Sequence, residues 1–288
     1  MGVFLIVLSS LGFGIMPIFA IYAYASGITV PTLLLIRFTL ASTLFFLYLF
    51  FKKERISLSR MELLGLFILG GVCYTAQSTL YFSSVRYITP ALAVLLLYLY
   101  PVFVAVLSFL VDKERLTAKV LISSVLSLAG VVLINLTLPE GVKYQGVAMA
   151  VGAALVYSFY IILGNRVVKK VPPLVTSTFV ALFTALGLLV SGLASGQIGF
   201  SFEGTAWFSI LGLTLFSTVL AILTFFKGLE LLGSTKSSIL SMIEPVFTII
   251  FSTVLLGESF TLRQLGGGLL VVAGAVFIVL AQSRSKSC

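Results

Sequence analysis

The sequence predicts an all-α polytopic membrane protein with ten transmembrane helices arranged as two inverted five-helix repeats. Three observations carry that prediction. The 288 residues are 60% hydrophobic and 9% charged, with a mean hydropathy of +1.21, whereas a soluble fold carries about 25% charged residues to cover its outside. Apolar stretches of about 18 or more residues recur along the chain, each long enough to cross a bilayer core. The chain also repeats itself when slid by half its length.

The ten spans fall at about 3–24, 32–51, 62–84, 89–111, 118–136, 144–164, 173–194, 206–228, 237–256 and 262–280. Turn residues punctuate them at Ser26-Gly27, Pro139-Glu140-Gly141, Pro172-Pro173 and Ser195-Gly196. The first span starts at Val3 without a basic leader. Ala23-Tyr24-Ala25 imitates a signal-peptidase site, but the run before it is too long for a signal-peptide core, so it reads as a retained helix.

Alternate connections hold Lys52, Lys53, Arg55 and Arg60, then Lys113, Arg115 and Lys119, then Arg166, Lys169 and Lys170. The same side takes Lys227, Lys236, Arg284 and Lys286. The other side has only Arg86, Lys143 and Arg263. This asymmetry places the first side and both termini in the cytoplasm, and the short chain fits a plasma (inner) membrane. The net charge of +9 therefore reports topology. No basic stripe with interleaved aromatics accompanies it, so nucleic acid is not an expected partner.

The chain has no histidine, which excludes His-based acid–base catalysis and His-ligated metals. Cys73 and Cys288 make neither a CxxC site nor a disulfide framework. An intramembrane enzyme would need a nucleophile with its base, a metal site or a carboxylate pair. That raw material is missing, so neither catalysis nor a cofactor is expected. No GxxxxGK[ST] motif supplies an ATP motor.

Sliding the chain by 144 residues superposes two proline-centred segments without a gap. Pro101-Val102-Phe103 falls on Pro245-Val246-Phe247, Glu114 on Glu258, Thr117 on Thr261, Ala129-Gly130 on Ala273-Gly274 and Ile134 on Ile278. Over 101–134 about 12 of 34 positions are identical. Residues 1–137 then form one five-helix unit and 138–288 a second. Five is odd, so the second unit is upside-down relative to the first, which is the usual architecture of a secondary transporter working by alternating access. A channel-like pore or a non-transporting scaffold stays open as an alternative.

The order of these features resembles the drug/metabolite transporter superfamily, and its EamA-like branch in particular. The residues that carry the resemblance are Glu244-Pro245-Val246-Phe247, Gly257-Glu258 and the Gly-rich last span. The first half matches with Tyr100-Pro101-Val102-Phe103, Glu114 and Ala129-Gly130, and Phe13-Gly14 and Arg37 also fit. The resemblance covers essentially the whole chain. It implies two EamA-like repeats and the export or exchange of a small-molecule substrate, with an amino acid or similar metabolite leading.

Two ionisable residues stand well inside the spans. Glu244 lies near mid-depth, where an ionised carboxylate costs about 2.5–3.5 kcal/mol on insertion scales. It reads either as a site for a proton or substrate amine, or as a carboxyl bonded to hydroxyls and to backbone freed by Pro245. Protons are accordingly a candidate coupling ion. Arg37, about one and a half turns inside the second span, reads as a structural or gating group rather than a ligand.

Tyr74, Gln77 and Tyr81 share one helix face and should point inward. Tyr98 and Tyr100 in the fourth span cannot share one face, whereas Tyr157 and Tyr160 in the sixth can. Together with Glu244, the expected cavity residues are Tyr74, Gln77, Tyr81, Tyr98, Tyr100 and Tyr157, a set suited to amphipathic or aromatic solutes. Pro17, Pro101 and Pro245 are candidate hinges or static bends beside it. Gly266, Gly267, Gly268 and Gly274 with Ser123, Ser127 and Gly130 favour close packing within the chain. The protein would be a monomer or a homodimer in the lipid bilayer.

Overall fold

The computed structural model describes residues 1–53, 56–113, 117–135, 143–257, 259 and 261–283. Arg55, Glu114, Arg115, the turn at 139–141, Glu258, Arg284, Lys286 and Cys288 lie outside them. Among the described residues ten helices follow one another, because a segment in lipid must satisfy its backbone groups internally. They are α1 (Gly2–Ala25), α2 (Val30–Phe51), α3 (Arg60–Ser84), α4 in two parts (Pro90–Leu97 and Tyr100–Asp112) and α5 (Ala118–Asn135). The second set is α6 (Tyr144–Val168), α7 (Pro173–Ser195), α8 (Ala206–Leu232), α9 in two parts (Ser234–Ser241 and Glu244–Leu256) and α10 (Leu262–Ser283). Among the described residues, nine are long and apolar enough to cross a membrane, and α5 carries a shorter apolar run, Ala118–Ile134.

Local chemistry sets the helix ends. Ser59 and Glu62 form a reciprocal capping box at the start of α3. Thr261 and Gln264 do the same for α10, with the Thr261 amide donating to Gln264 Oε1 at 3.0 Å and the Gln264 amide to Thr261 Oγ1 at 3.2 Å. The second part of α4 ends on Lys113 in the left-handed region (φ 55°), and α9 ends on Gly257 at φ 69°. Each cap donates its amide to a serine carbonyl, Ser108 and Ser252 respectively. The same pairing of Lys and Gly recurs after α2 and α7, at Lys53 and Gly196.

In lipid, helices associate through close packing rather than hydrophobic transfer. The contact between α5 and α10 shows this most plainly: a Cβ added to Gly267 would lie 2.7 Å from the Gly130 carbonyl, and one added to Gly274 would lie 2.9 Å from the Ser123 carbonyl. The small residues of these two helices thus pack within the chain. α1 packs on α8, α3 on α6, α2 on α7, and the two broken helices meet each other. Large apolar side chains such as Phe50, Phe109, Val190 and Phe208 face outward, as a lipid-covered surface requires.

Each helix runs antiparallel to its predecessor. One end of the bundle, the terminal end, carries the start of α1 and the end of α4. There Arg166 on α6 pairs with Asp112 on α4 at 2.7 Å. At the opposite end the α7–α8 connection lies over the start of α2, with Thr32 Oγ1 donating to the Gly199 carbonyl at 3.0 Å and the Glu203 amide donating to the Ser26 carbonyl at 3.0 Å.

Candidate functional site

The site is made by the interruptions in α4 and α9. A proline inside a helix lacks an amide and clashes with the carbonyl four residues back, here those of Leu97 and Ser241. Each helix stops at that residue and turns through two more, Tyr98-Leu99 or Met242-Ile243. It restarts with proline in its first turn, where no amide partner is needed. Pro101 and Pro245 therefore begin new half-helices rather than bend continuous ones. Tyr100 and Glu244 occupy the opening position of those half-helices. A helix N-terminus carries a partial positive charge, which favours a carboxylate.

α3 and α8 each contain a π-helical stretch, Ile68–Tyr74 and Leu215–Leu220. Such wide turns release carbonyls from the regular ladder. Thr75 Oγ1 and Thr184 Oγ1 both donate to the Gly70 carbonyl, at 3.2 and 3.3 Å. On α8 the released carbonyl of Ser217 receives Arg37 Nη2 at 2.6 Å, while Arg37 Nε donates to Thr218 Oγ1 and Nη1 to Met16 Sδ. Arg37 is buried and its guanidinium also covers the Phe38 ring. It does not reach outward to the interface, and no ion pair joins it to Glu244 among the described residues.

A cavity of about 420 Å³ lies between these elements. Tyr74, Gln77, Tyr81, Tyr98, Tyr100, Tyr157 and Glu244 all line it, as do Pro17, Arg37 and Pro245. Pro101 does not; it is buried on the far side of the break. Tyr74, Tyr81, Tyr98, Tyr100 and Tyr157 thus share one cavity with Glu244. The rings form a continuous wall: Tyr98 to Tyr100 at 6.2 Å between centroids, Tyr100 to Tyr157 at 4.8 Å, Tyr157 to Tyr160 at 5.7 Å and Tyr160 to Tyr74 at 5.8 Å. Tyr98 and Tyr100 were expected on different faces. They share the cavity because the helix breaks between them, so the regular 100° step per residue does not apply.

The lining runs from Glu244 along α9 through Thr248 and Ser252 to the exposed Ser259 and to Gln264 at the opposite end of the bundle. On the terminal side of Glu244 the bundle is packed, with Tyr100, Tyr160, Phe226 and Met242 buried. Tyr100 donates its hydroxyl to the Ser238 carbonyl at 3.2 Å, tying the two broken helices together below the cavity. Sequence reasoning missed Thr248, Ser252, Phe13 and Met16 as liners. The first two were readable, since Glu244, Thr248 and Ser252 form a polar stripe at four-residue spacing on an apolar helix.

A multi-pass helical bundle holding a one-sided cavity, mostly apolar with a few polar groups, at paired helix breaks defines the chain as a membrane transporter by class. The chain belongs to the EamA-like transporter family, whose model matches it twice, over residues 1–136 and 144–280. It is 26% identical over 252 residues to "Uncharacterized transporter YyaM" of Bacillus subtilis, spanning 83% of this chain and 81% of that one. It is 27% identical to "Uncharacterized inner membrane transporter YicL" of Salmonella typhimurium, over 78% and 76% of the two chains. A solved crystal structure shares the fold, with a TM-score of 0.82 at 21% identity over 97% of this chain and 98% of the other.

Proposed function

We propose that the protein is a secondary active transporter that moves a small metabolite across the plasma membrane by alternating access, in export or exchange. The observation that carries this reading is the cavity itself. Its walls come from both halves of the chain, 1–137 and 138–288, meeting at helix breaks 144 residues apart, and it reaches one end of the bundle while the other end is packed. Five helices in each half put the second half upside-down, so two related packings can expose one site to either side. The terminal end, with its Lys and Arg residues, faces the cytoplasm.

Glu244 at the half-helix start receives a proton or a substrate amine, and the tyrosine wall with Gln77 grips an amphipathic, amino-acid-like body by ring contact and hydroxyl bonds. Arg37 holds α8 against the cavity, and the breaks at Pro101 and Pro245 act as hinges, with Pro17 a third.

Counterflow uptake in proteoliposomes tests the proposal, with labelled pools of amino acids and then of organic cations. Saturable accumulation driven by unlabelled solute inside is the expected result. Flux that rises linearly with concentration would make the protein a pore, and no flux with either pool from folded protein would leave it a scaffold for these solutes.

A further inference from the structure

The second part of α4 buries Tyr100, Pro101, Val104, Ala105 and Ser108. Moved forward by 144 residues, these positions become Glu244, Pro245, Thr248, Ile249 and Ser252, and every one of those lines the cavity. Beyond Tyr100, which lines the cavity itself, the face made by Pro101, Val104, Ala105 and Ser108 is therefore sealed in the first half, while its counterpart lines the cavity in the second. Because α4 and α9 run in opposite directions, the sealed face points along the terminal side of the break.

An independent observation marks the same region. Ser10, Ser108, Ser234 and Ser237 are at most 1% exposed, and their hydroxyls have no hydrogen-bond partner, a condition that Ser123, Ser127, Asn165 and Ser217 share elsewhere in the bundle. Buried polar groups are almost always bonded, so a group of orphans requires a cause. The first part of α9 reads Ser-Thr-Lys-Ser-Ser-Ile-Leu-Ser, and all its serines are buried. Its counterpart in α4, Pro90–Leu97, is apolar. This serine-rich half-helix packs against α1 and against the sealed part of α4. Hydroxyls that lack partners when sealed gain them when water enters.

We infer that the sealed face of α4 and the serine-rich half of α9, with Ser10 of α1, are the walls of a second vestibule on the terminal side. It is closed here and lines the path of a polar, hydrated solute when the bundle faces the other way. The inference rests on the alternating-access reading and adds the residues of the hidden path to it.

Thiol accessibility tests it in the full chain reconstituted in vesicles, after Cys73→Ser and Cys288→Ser remove the native thiols. Ser252→Cys, Ser108→Cys and Ser237→Cys are each exposed to a membrane-impermeant maleimide from either side, with folding checked by gel filtration and transport by counterflow. Ser252→Cys is expected to react from the side the cavity faces. Ser108→Cys and Ser237→Cys are expected to react only from the terminal side, about 10- to 1000-fold more slowly, as a minor state populated at roughly 0.1–10% dictates.

Inert Ser108→Cys and Ser237→Cys in protein that still performs counterflow would overturn the inference and leave the transport reading intact. Labelling of either from the cavity side would also overturn it. Inert thiols together with absent counterflow in the cysteine-free parent, while Ser252→Cys still reacts, would overturn the transport reading as well.

Discussion

Arg37 Nη2 on α2 donates to the backbone carbonyl of Ser217 on α8 at 2.6 Å, inside the π-helical stretch Leu215–Leu220. The wide turn frees the carbonyl and the guanidinium occupies it, so each accounts for the other. Nε completes the fork on Thr218 Oγ1. Hydrogen bonds to a charged group are worth about 1.5–3 kcal/mol each, so Arg37→Ala is expected to cost about 3 kcal/mol or more. Arg37→Lys recovers only part of this, because an ammonium lacks the planar fork. Thermal unfolding in detergent checks both, and an unchanged midpoint for Arg37→Ala would remove its structural role.

The contact between α5 and α10 gives a contrast within one helix. A Cβ at Gly267 would lie 2.7 Å from the Gly130 carbonyl, whereas at Gly266 it would meet only Leu133, at 3.5 Å. Gly267→Val is expected to lower stability by about 1–3 kcal/mol or more through overpacking, and Gly266→Val to be tolerated. Thermal midpoints of the two variants measured side by side decide it.

The left-handed caps predict opposite signs at equivalent positions. Lys113 (φ 55°) holds a conformation that costs a side-chain-bearing residue about 1–2 kcal/mol, while Gly257 (φ 69°) holds it freely. Lys113→Gly should raise stability and Gly257→Ala should lower it, by about 1 kcal/mol each. Thermal unfolding that moved both variants the same way would contradict the argument.

These contrasts also mark what the sequence could and could not disclose. The ten helices were legible because apolar length is a direct requirement of the bilayer, and the breaks were legible because Pro101 and Pro245 lack amides. Tyr74, Gln77 and Tyr81 were legible as one face because three- and four-residue spacings survive the end of the π turn at Tyr74. The joint placement of Tyr98 and Tyr100 was not, because face assignment assumes an unbroken helix. The partners of Arg37 were hidden for a related reason: a π turn leaves no hydropathy signal, and the released carbonyl belongs to the backbone.

Glu244 carries the coupling prediction. Glutamine imitates the protonated carboxyl and cannot release a proton. If Glu244 carries the coupling proton, Glu244→Gln retains solute exchange but loses accumulation driven by a pH gradient. Proteoliposomes assayed with and without an imposed gradient separate the two. Undiminished gradient-driven accumulation would assign the proton elsewhere.

The central claim is that a solute is held and carried in the cavity between the two halves. Its most direct test is the concentration dependence of counterflow for the wild type beside the triple variant Tyr74→Ala, Gln77→Ala and Tyr81→Ala. Aromatic contacts are worth about 0.5–1.5 kcal/mol each, so the account predicts saturation in both and a half-saturation concentration about tenfold higher in the variant. Identical half-saturation in folded protein, or flux without saturation in the wild type, would contradict it.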